Sequence, residues 1–546
     1  MSNFKESYPK HVLVNNIKLP INASFEEAFS VARKQLQKVG VSTRISNCSI
    51  FKKSIDARNK NDIKIVYSVL ASDSEGILNS EKAKVLGISS YSYEAPYVSE
   101  GDRSLSAPIV VVGAGPAGLF ASLILAERGY KPILIERGGS VAERNLAVEQ
   151  FRSNRILDVN TNIQFGAGGA GTFSDGKLVT RINDPMSTFI LERLVEFGAP
   201  NDIMYLARPH IGTDILSAVV ENVINKIKFH GGDVRFHTLL TGIEESAGKI
   251  TAINTNKGSI SCSAVILAIG HSARDTYSML LSKGIDIIAK PFSVGMRIEH
   301  PVSVIDKGMF GNYAGHPQLG HAEYNLSFNT SKRGVYTFCM CPGGEVVPAA
   351  SEIGGVVVNG MSKHSRNGDN SNSAVCCSIF KEDYGSTPYR AIEFQREIER
   401  LAFSSAGSDY SAPITTLGDL FDASYSSKPS FVAPTYMNGE GVRVVDPEKY
   451  LPAFVVDHIK RGILDFDKKI HGFAMREAVL TGPETRTSAP VRITRDNETR
   501  LATGYFNLYP CGEGAGYAGG ITSAAIDGVK TAFSIIQNYK PYTGEI

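Results

Sequence analysis

A glycine-rich turn between an apolar strand and an apolar helix constrains this chain more than any other feature. Gly113, Gly115 and Gly118 have the spacing G-x-G-x-x-G, after IVVV and within the start of a helical pattern. In such a turn the first glycine allows a sharp bend, the second lets a pyrophosphate approach the backbone, and the third lets helix and strand pack closely. Free N–H groups at the helix start favour an anion. The turn therefore predicts a dinucleotide site formed by Gly113, Ala114, Gly115, Pro116, Ala117 and Gly118.

The strand that follows supports the same interpretation. KPILIER carries Glu136, which lies 18 residues after Gly118. A carboxylate at this point can accept hydrogen bonds from an adenosine ribose. An acid also disfavours the 2′-phosphate of NADP, so the pattern fits FAD or NAD. Arg137 either approaches a phosphate or is solvated, and the sequence leaves both possibilities open.

The order of elements predicts an α/β protein with a discontinuous core domain. Residues 1–97 combine strand patterns with one amphipathic helix and predict a small N-terminal α+β domain. Residues 98–290 and 482–546 contain buried-type strands and predict the two parts of one Rossmann-like nucleotide-binding domain with a parallel sheet. Residues 291–481 predict an inserted α+β domain that caps the site and forms a substrate pocket.

Charge and composition argue against several functional classes. The formal net charge is +2, with 21% charged residues, whereas a dedicated nucleic-acid binder usually has a strong basic excess. Residues 1–97 are mildly basic, with 14 Lys and Arg against 9 Asp and Glu. The uncharged stretch 107–126 is long enough to span a bilayer, but the glycine turn explains it better. We therefore expect a cytoplasmic protein that binds neither nucleic acid nor membranes.

The seven cysteines show no zinc-ligand spacing, so no metal site is predicted. Cys339 and Cys341 share a strand pattern with Thr337, and the period of two places all three on one face. Two thiols in that arrangement form a strained disulfide at best. The simpler interpretation is that both are small buried apolar side chains.

A second glycine-rich stretch, YPCGEGAGYAGGITSAAIDG, occupies residues 509–528. It either binds a second nucleotide or closes the site that Gly113 opens. No strand–helix–strand unit that ends in an acid surrounds it, which favours the second interpretation. Backbone N–H groups at the start of its helix would stabilise the negative charge of a reduced flavin.

The segment GGDVRFHTLLTGIEES…GKITAINTN…CSAVILAIG resembles the flavoproteins of the glutathione-reductase-type FAD-binding superfamily. The resemblance implies that the cofactor is FAD. It also implies that Leu240 lies on an adenine-facing strand and that Gly270 ends an Ala-Thr-Gly-like motif in which Ile269 replaces Thr. It further implies that Glu513, after Gly512, holds the ribityl chain. The next helix then directs its N-terminus at the pyrophosphate and flavin through Gly519, Gly520 and Ile521.

Within that superfamily, the chain more specifically resembles a bacterial family of uncharacterised FAD-dependent dehydrogenases, described as NAD(FAD)-utilizing. The matching segments include GGAGTFSDGKLVTR, PHIGTD, FSVGMRIEHP, CMCPGGEVVPAASE and TGPETRTSAPVRI. Resemblance to related flavoproteins implies that residues 166–181 lie along the flavin and pyrophosphate, with Ser174 and Lys177 as cofactor contacts. Other side chains in these segments are candidates for the flavin face, none assigned as a catalytic acid or base: His210, Arg297, His300 and Arg486.

These patterns predict an FAD-dependent oxidoreductase that transfers a hydride between flavin and a small-molecule substrate. No second G-x-G-x-x-G unit occurs, so NADH or NADPH would bind only transiently. Two alternatives stay open. In one, FAD is a structural or sensing ligand of a binding module. In the other, the protein is an RNA-modifying flavoenzyme that uses its mildly basic N-terminal domain.

Overall fold

The structure, a computed structural model, describes residues 11–72, 74–76, 80–179, 184–422 and 432–544. Residues 1–10 of the predicted N-terminal domain and residues 180–181 of the predicted cofactor segment lie outside the described residues. Two compact units are present. The first comprises the described residues up to Pro96, Pro200–Pro209 and Asp306–Ala322. The second comprises Tyr97–Ala199, His210–Ile305 and the described residues from Glu323 onward.

The helices differ widely in length, and the longest belong to the second unit. In chain order they are α1 (Phe25–Lys38), α2 (Ser80–Val85), α3 (Pro116–Glu127), α4 (Val141–Asn154), α5 (Met186–Glu196), α6 (Thr213–Phe229), α7 (Arg274–Ser282), α8 (Val302–Phe310), α9 (Lys381–Tyr384), α10 (Pro388–Ser405), α11 (Leu417–Phe421), α12 (Ala453–Lys469) and α13 (Ile521–Ile536). Within the described residues, no helix is both long enough and apolar enough to cross a membrane. The uncharged residues 107–126 instead form a buried strand, the glycine turn and most of α3.

The strands form several separate sheets. In chain order they are β1 (Val12–Pro20), β2 (Val41–Ser42), β3 (Cys48–Asp56), β4 (Lys64–Ala71), β5 (Glu75–Gly76), β6 (Ile88–Ser90), β7 (Ile109–Val112), β8 (Ile133–Ile135), β9 (Asp233–Arg235), β10 (Leu240–Ser246), β11 (Lys249–Thr255), β12 (Gly258–Ser261), β13 (Ala264–Leu267), β14 (Ile287–Ala289), β15 (Phe292–Pro301), β16 (Ser327–Asn329), β17 (Gly334–Cys341), β18 (Glu345–Pro348), β19 (Val358–Met361), β20 (Asn370–Ile379), β21 (Ala412–Thr416), β22 (Val442–Val444), β23 (Val479–Glu484), β24 (Val491–Ile493) and β25 (Leu508–Pro510).

The first unit has the predicted α+β character. Its sheet has the order β3-β4-β1-β6, with antiparallel pairs. Helix α1 begins after Ser24, whose hydroxyl accepts the N–H of Glu27 while the Glu27 carboxylate accepts the N–H of Ser24. This capping box satisfies two donors that a helix start otherwise leaves free. The helix stops just before Gly40, which has a φ of 83°.

A five-stranded parallel sheet with the order β25-β13-β7-β8-β9 lies in the second unit. It confirms the predicted Rossmann-like fold. Every residue of β7, β8, β13 and β25 is buried, as expected for a parallel sheet covered on both faces. Because β25 comes from the far end of the chain, the nucleotide-binding fold is discontinuous.

The chain between the two parts of this sheet forms a second, seven-stranded sheet with the order β16-β17-β20-β15-β23-β21-β22. Strand β15 is buried except at its last residue and pairs with β20 along its whole length. Strand β17 also pairs with β20, but its register shifts between Phe338 and Cys341. This bulge interrupts the regular alternation of faces that the sequence predicted.

The local sequence patterns predict one strand over residues 233–246, Thr213 as a helix N-cap and a helix over residues 447–462. The structure places all three boundaries differently. The strand predicted across residues 233–246 is two strands, since β9 joins the parallel sheet whereas β10 belongs to an antiparallel sheet with β11 and β12. Gly212 occupies the N-cap position of helix α6, so Thr213 is the first residue of the helix and not its N-cap. Helix α12 begins at Ala453 because Pro452, which has no N–H to donate, precedes its first turn.

Helices α3 and α13 approach each other closely through glycine. A Cβ at Gly528 would lie 2.1 Å from the carbonyl oxygen of Ala117. Within the turn, a Cβ at Gly118 would lie 1.9 Å from the carbonyl oxygen of Gly113. Both obstacles are backbone atoms, which cannot move aside as the end of a flexible side chain can. Glycine is therefore required at both positions. It allows α13 to pack closely on α3, and α3 to pack closely on the turn.

Replacing Gly528 tests this contact. We expect Gly528→Ala to lower the free energy of unfolding by about 1–3 kcal/mol, because the added methyl group overlaps backbone in a packed interior. Urea unfolding followed by circular dichroism measures the change. Gly242→Ala in β10 is the matched control, since its Cβ would meet its nearest neighbours at an ordinary 3.6 Å. Equal losses in the two variants would contradict the proposed clash.

Candidate functional site

The turn after β7 leaves open space beside the middle of its three glycines. Gly113 has a φ of 101°, and its Cβ would lie 2.4 Å from the carbonyl oxygen of Ala268. At Gly115, by contrast, the one described atom within 4 Å of an added Cβ is the Gly169 Cα, at 3.8 Å. Gly115 is the N-cap of α3 and provides no side-chain cap. The first N–H groups of α3 therefore lie next to open space without a side-chain acceptor.

The other two glycine-rich segments meet at this turn. Gly168 donates its N–H to the carbonyl oxygen of Ala114 at 2.8 Å. The hydroxyl of Thr522, in the first turn of α13, donates to the carbonyl oxygen of Leu178 at 2.9 Å. Since α13 also packs on α3, the structure brings together three predicted segments that are distant in sequence: 113–118, 166–178 and 512–521.

Glu136 connects the turns of this site through its carboxylate. Its Oε2 accepts the N–H of Ala114 at 2.8 Å, and its Oε1 accepts the N–H groups of Gly138 at 2.9 Å and Gly166 at 3.0 Å. The residue is 5% exposed. The sequence assigned this carboxylate to a ribose, whereas the structure gives it three donors from the protein. A carboxylate has about four acceptor directions, so one on Oε2 is left for a ligand.

Arg137 and Ser174 form contacts within the protein. The Arg137 guanidinium lies 4.1 Å from the ring centroid of Phe165 and forms an ion pair with Asp275 at 2.9 Å. The hydroxyl of Ser174 donates to the carbonyl oxygen of Gly171 at 2.6 Å. Arg137 is therefore neither simply solvated nor left as an unpaired charge for a phosphate, and Ser174 stabilises its own turn.

Lys177 belongs to a buried network of two cations and two anions. Its Nζ lies 3.1 Å from the Asp175 carboxylate and 3.2 Å from the Glu323 carboxylate. Arg366 binds the same two acids, with a 2.6 Å contact to Glu323. Burial opposes ionisation of Asp175, but Lys177 and Arg366 hold its pKa below the usual range. Two acids thus neutralise the charge of Lys177 within the predicted cofactor segment 166–181.

Leu240 and Gly270 lie near the carboxyl end of the parallel sheet. Leu240 begins β10, is 5% exposed and packs in a cluster with Val112 and Ile135. Gly270 has a φ of 72°, and no described atom lies within 4 Å of where its Cβ would be. Strand β13 ends at Leu267, so Gly270, the last residue of the Ala-Thr-Gly-like motif, belongs to the loop that follows the strand.

Asp527 fixes the late glycine turn and was not among the predicted site residues. It accepts the N–H of Gly512 at 2.7 Å and forms ion pairs with Arg495 at 2.7 Å and Arg500 at 2.6 Å. Burial tends to raise its pKa, but the two arginines hold the pKa at about 2. The sequence signal was one acid in an otherwise apolar helical stretch, since such a charge is costly to bury unless it is paired.

Glu513 is the titratable group at the end of this turn. Its side chain is half-buried, and burial raises its pKa to about 7, an effect that Lys290 partly offsets. Gly519 and Gly520 are exposed at the start of α13, and Gly520 is an N-cap without a side-chain cap. Ile521 is the first residue of the helix and is buried. The late segment thus combines an open helix start with a carboxyl group that is partly protonated near neutral pH.

Both arginines considered for the flavin face are bound to buried acids. The Nε of Arg297 donates to Glu484 at 2.7 Å, and both side chains are buried. Arg486 donates to Glu399 at 2.9 Å, and Arg274 donates to the same carboxylate at 2.7 Å. With these contacts to buried acids, neither guanidinium is placed to bind a substrate carboxylate through two parallel hydrogen bonds.

Both histidines considered for the flavin face also contact backbone oxygens. The Nε2 of His300 lies 2.7 Å from the carbonyl oxygen of Phe473, and burial lowers the pKa of His300 to about 4. The Nε2 of His210 lies 3.1 Å from the carbonyl oxygen of His364, whose ring stacks on it. Burial also lowers the pKa of His210. Both imidazoles are therefore neutral structural groups near neutral pH.

The arrangement fits a dinucleotide with a central diphosphate. Helices α3 and α13 both begin without a side-chain cap, and a helix start of this kind stabilises an anion. A side chain at Gly115 would fill the space next to α3. The residues present therefore fit a diphosphate at the start of α3.

Three family models match parts of the chain. One described as an FAD binding domain matches residues 106–152, and one described as an FAD-dependent protein, C-terminal domain-like, matches residues 291–487. A third, a domain of unknown function, matches residues 12–72. The chain carries an FAD-binding domain, and FAD is confirmed as the predicted cofactor. The assignment to the glutathione-reductase-type superfamily stays a prediction.

One full-length relative and several solved structures are similar to this chain. An uncharacterized protein of Clostridium beijerinckii is 46% identical over 535 residues, covering 97% of this chain and 99% of the relative. L-amino acid deaminase from Proteus vulgaris is 12% identical, covering 82% of this chain and 97% of its own, with a TM-score of 0.33. Glycine oxidase from Bacillus cereus is 12% identical, covering 79% and 95%, with a TM-score of 0.32. Scores this low carry no argument about activity.

The raised pKa of Glu513 predicts a pH-dependent stability of the FAD-free protein. The folded chain holds this proton more tightly than the unfolded chain, in which a glutamate has a pKa of 4.5. Stability should therefore fall as pH rises from about 4.5 to about 7. We expect Glu513→Gln to gain about 2 kcal/mol over the unmodified chain at pH ~8 and little at pH ~4, measured by urea unfolding. Glu221→Gln, at an exposed position of α6, is the control; the same pH profile in both variants would rule out this effect of burial.

Proposed function

Because this chain belongs to the same family as the Clostridium beijerinckii protein and carries an FAD-binding domain, we propose that it is an oxidoreductase that transfers a hydride between bound FAD and a small-molecule substrate. The observation that carries the proposal is the meeting of three glycine-rich segments around the uncapped start of α3. Bound FAD supplies the electron chemistry by accepting or giving a hydride at its flavin ring.

The start of α3 holds the diphosphate in this proposal. The N–H groups of Ala117 and Gly118 donate to its oxygens, and Gly115 keeps the approach clear of a side chain. Glu136 offers the remaining acceptor direction of Oε2 to a ribose hydroxyl. Its three bonds to backbone N–H groups hold the carboxylate in place before the ligand arrives.

The start of α13 and Glu513 act at the flavin end. The N–H groups that follow Gly520 stabilise negative charge that develops on the reduced ring. Glu513, with a pKa of about 7, donates a hydrogen bond to a ribityl hydroxyl when protonated and accepts one when ionised. Asp527 holds the turn that carries Glu513 through the N–H of Gly512.

The substrate is a small molecule that reaches the flavin from the side of the inserted seven-stranded sheet. NADH or NADPH, where it serves as reductant, visits the same face and leaves, because the sequence has one G-x-G-x-x-G unit and FAD occupies it. Nucleic acid and membrane have no part in this proposal, in keeping with the net charge of +2.

Gly115→Val tests the cofactor site. Gly115 has an extended conformation, with φ −78° and ψ −179°, so a valine fits the backbone while its methyl groups enter the space proposed for the diphosphate. We expect at least a roughly tenfold loss of FAD affinity, about 1.4 kcal/mol or more. Flavin released on heating and a fluorescence titration of the FAD-free protein measure it.

The unfolding transition of the FAD-free variant is the control, because added bulk in open space should leave it unchanged. Gly115→Ala should cause a smaller loss of affinity than Gly115→Val. Stoichiometric FAD in the purified valine variant would overturn the placement of the diphosphate.

Reduction of the bound flavin tests the enzymatic proposal. We expect the purified protein to be yellow and its flavin absorbance to bleach under anaerobic conditions with at least one donor from a panel of NADH, NADPH and small metabolites. Air should then restore the absorbance. A flavin that dithionite reduces but no member of the panel does would instead favour a sensing or structural role for FAD.

A further inference from the structure

His271 follows strand β13 at the carboxyl edge of the parallel sheet. The strand ends at Leu267, and Gly270 precedes His271 in the loop that leads to α7. In open sheets of this kind, ligands bind in the crevice outside the carboxyl ends of the strands. The sequence did not single out His271, because one histidine after a glycine has no characteristic spacing.

The order of the strands places His271 between the two ends proposed for the cofactor. Strand β13 pairs with β7 on one side and with β25 on the other. The turn proposed for the diphosphate follows β7, and the glycine-rich turn proposed for the flavin end follows β25. Neighbouring strands lie about 4.8 Å apart, so the carboxyl end of β13 lies between these two turns and close to both.

The loop that carries His271 packs directly on the late glycine-rich turn. A Cβ at Gly514 would lie 2.5 Å from the carbonyl oxygen of Gly270 and 2.6 Å from its backbone nitrogen. The Tyr277 hydroxyl donates to the carbonyl oxygen of Gly514 at 2.7 Å and lies 3.2 Å from that of Gly270. These contacts fix the backbone before His271 against the turn that also contains Glu513.

A chain of hydrogen bonds holds the ring of His271. Its Nδ1 lies 2.8 Å from the hydroxyl oxygen of Ser272, which lies 3.2 Å from the Oε1 of Gln164. The Nε2 of Gln164 donates to the carbonyl oxygen of Ala349 at 3.2 Å. Ser272 and Gln164 are both buried, so the chain is shielded from water.

The far end of this chain determines the direction of every bond in it. The carbonyl oxygen of Ala349 only accepts, so the amide of Gln164 directs its NH₂ group there and its Oε1 at Ser272. That Oε1 needs a donor, which the Ser272 hydroxyl supplies. The hydroxyl oxygen then accepts from the Nδ1 of His271. In a neutral ring the hydrogen therefore lies on Nδ1, and Nε2 keeps a lone pair.

The surroundings keep this ring neutral near neutral pH. Burial, Arg486 and Arg274 lower the pKa of His271 to about 3, and Glu399 offsets their effect only in part. The residue is partly exposed, and its Nε2 has no hydrogen-bond partner among the described residues. The neighbouring space is also open, since no described atom lies within 4 Å of where a Cβ of Gly270 would be. The Nε2 is thus a neutral acceptor available to a ligand that brings a donor.

We propose that the Nε2 of His271 accepts a hydrogen bond from a hydroxyl group of the ribityl chain of FAD. This chain joins the diphosphate to the flavin ring, and its free hydroxyl groups are donors. The strand order places His271 between the positions proposed for these two ends, across the Gly270–Gly514 contact from Glu513. The inference rests on the proposed function for the placement of FAD. In it, His271 positions the cofactor and takes no part in hydride transfer.

The tautomer is tested on the FAD-free full-length protein. NMR of protein labelled with ¹⁵N in its histidine rings distinguishes the Nδ1–H, Nε2–H and doubly protonated forms, and His271→Gln identifies the signal of His271. We expect a neutral Nδ1–H ring near pH ~7. In Gln164→Leu the Ser272 hydroxyl loses its acceptor and is free to donate to Nδ1, so the ring should shift towards the Nε2–H form. A ring protonated at Nε2 in the unmodified protein would overturn the proposal.

A double-mutant cycle between the ring and the cofactor tests the contact itself. FAD and a set of analogues, each lacking one ribityl hydroxyl, are titrated into the FAD-free protein and into His271→Phe, with flavin fluorescence as the readout. We expect His271→Phe to weaken FAD binding about three- to tenfold, the effect of one hydrogen bond. With one of the analogues the substitution should cause no further loss, because the partner hydroxyl is already absent. His271→Gln, whose Oε1 replaces Nε2 as acceptor, should restore most of the affinity.

His471→Phe is the matched control, because His471 is exposed just after α12, and it should bind FAD and every analogue as the unmodified chain does. Equal losses for FAD and for all analogues in His271→Phe would overturn the contact and leave the proposed function intact. An unmodified protein that binds no FAD would instead overturn the placement of FAD, and this inference with it. If His271→Phe does not fold, Ser272→Ala, which removes the acceptor of the Nδ1–H, takes its place with a smaller expected loss for the same analogue.

Discussion

The glycine-rich turns of this protein are held in place by buried carboxylates that accept hydrogen bonds from their backbone N–H groups. Glycine lets a ligand or a second helix approach the backbone, but it contributes no side chain that could hold a turn in place. Glu136 supplies that constraint by accepting N–H groups from three turns at 2.8–3.0 Å. Hydrogen bonds to an ionised acceptor are stronger than neutral ones, and here they are also buried. These three hydrogen bonds therefore fix the turns relative to one another.

The late turn repeats this solution with another acid. Asp527 accepts the N–H of Gly512 and is itself neutralised by Arg495 and Arg500. Its carboxylate projects from the same helix whose Gly528 packs on α3. Helix α13 thus fixes the turn that contains Gly512 and Glu513, and it also packs against α3. The late glycine-rich turn and the turn at residues 113–118 thus form one structural unit, although most of the chain separates them.

The sequence predicted features that depend on local spacing and missed those that depend on distant partners. The glycine spacing and the acid at Glu136 were sufficient for β7, the turn, α3 and β8, because one short segment contains all of them. The three donors of Glu136 come partly from residues far along the chain, which no spacing reveals. The break between β9 and β10 falls at His237, whose φ is 51°, without a glycine or proline to mark it. The bulge at Cys339 was hidden for the same reason, since its residues alternate as a regular strand does.

The acids in and around this site differ in how far nearby cations compensate their charge. Asp527, Asp175 and Glu399 each have two cationic partners, so their ionisation is settled well below neutral pH. Burial instead raises the pKa of Glu513 to about 7, and Lys290 offsets this effect only in part. Near neutral pH the late glycine-rich turn therefore retains a proton on Glu513 that can be given up, while Asp527, Asp175 and Glu399 stay ionised.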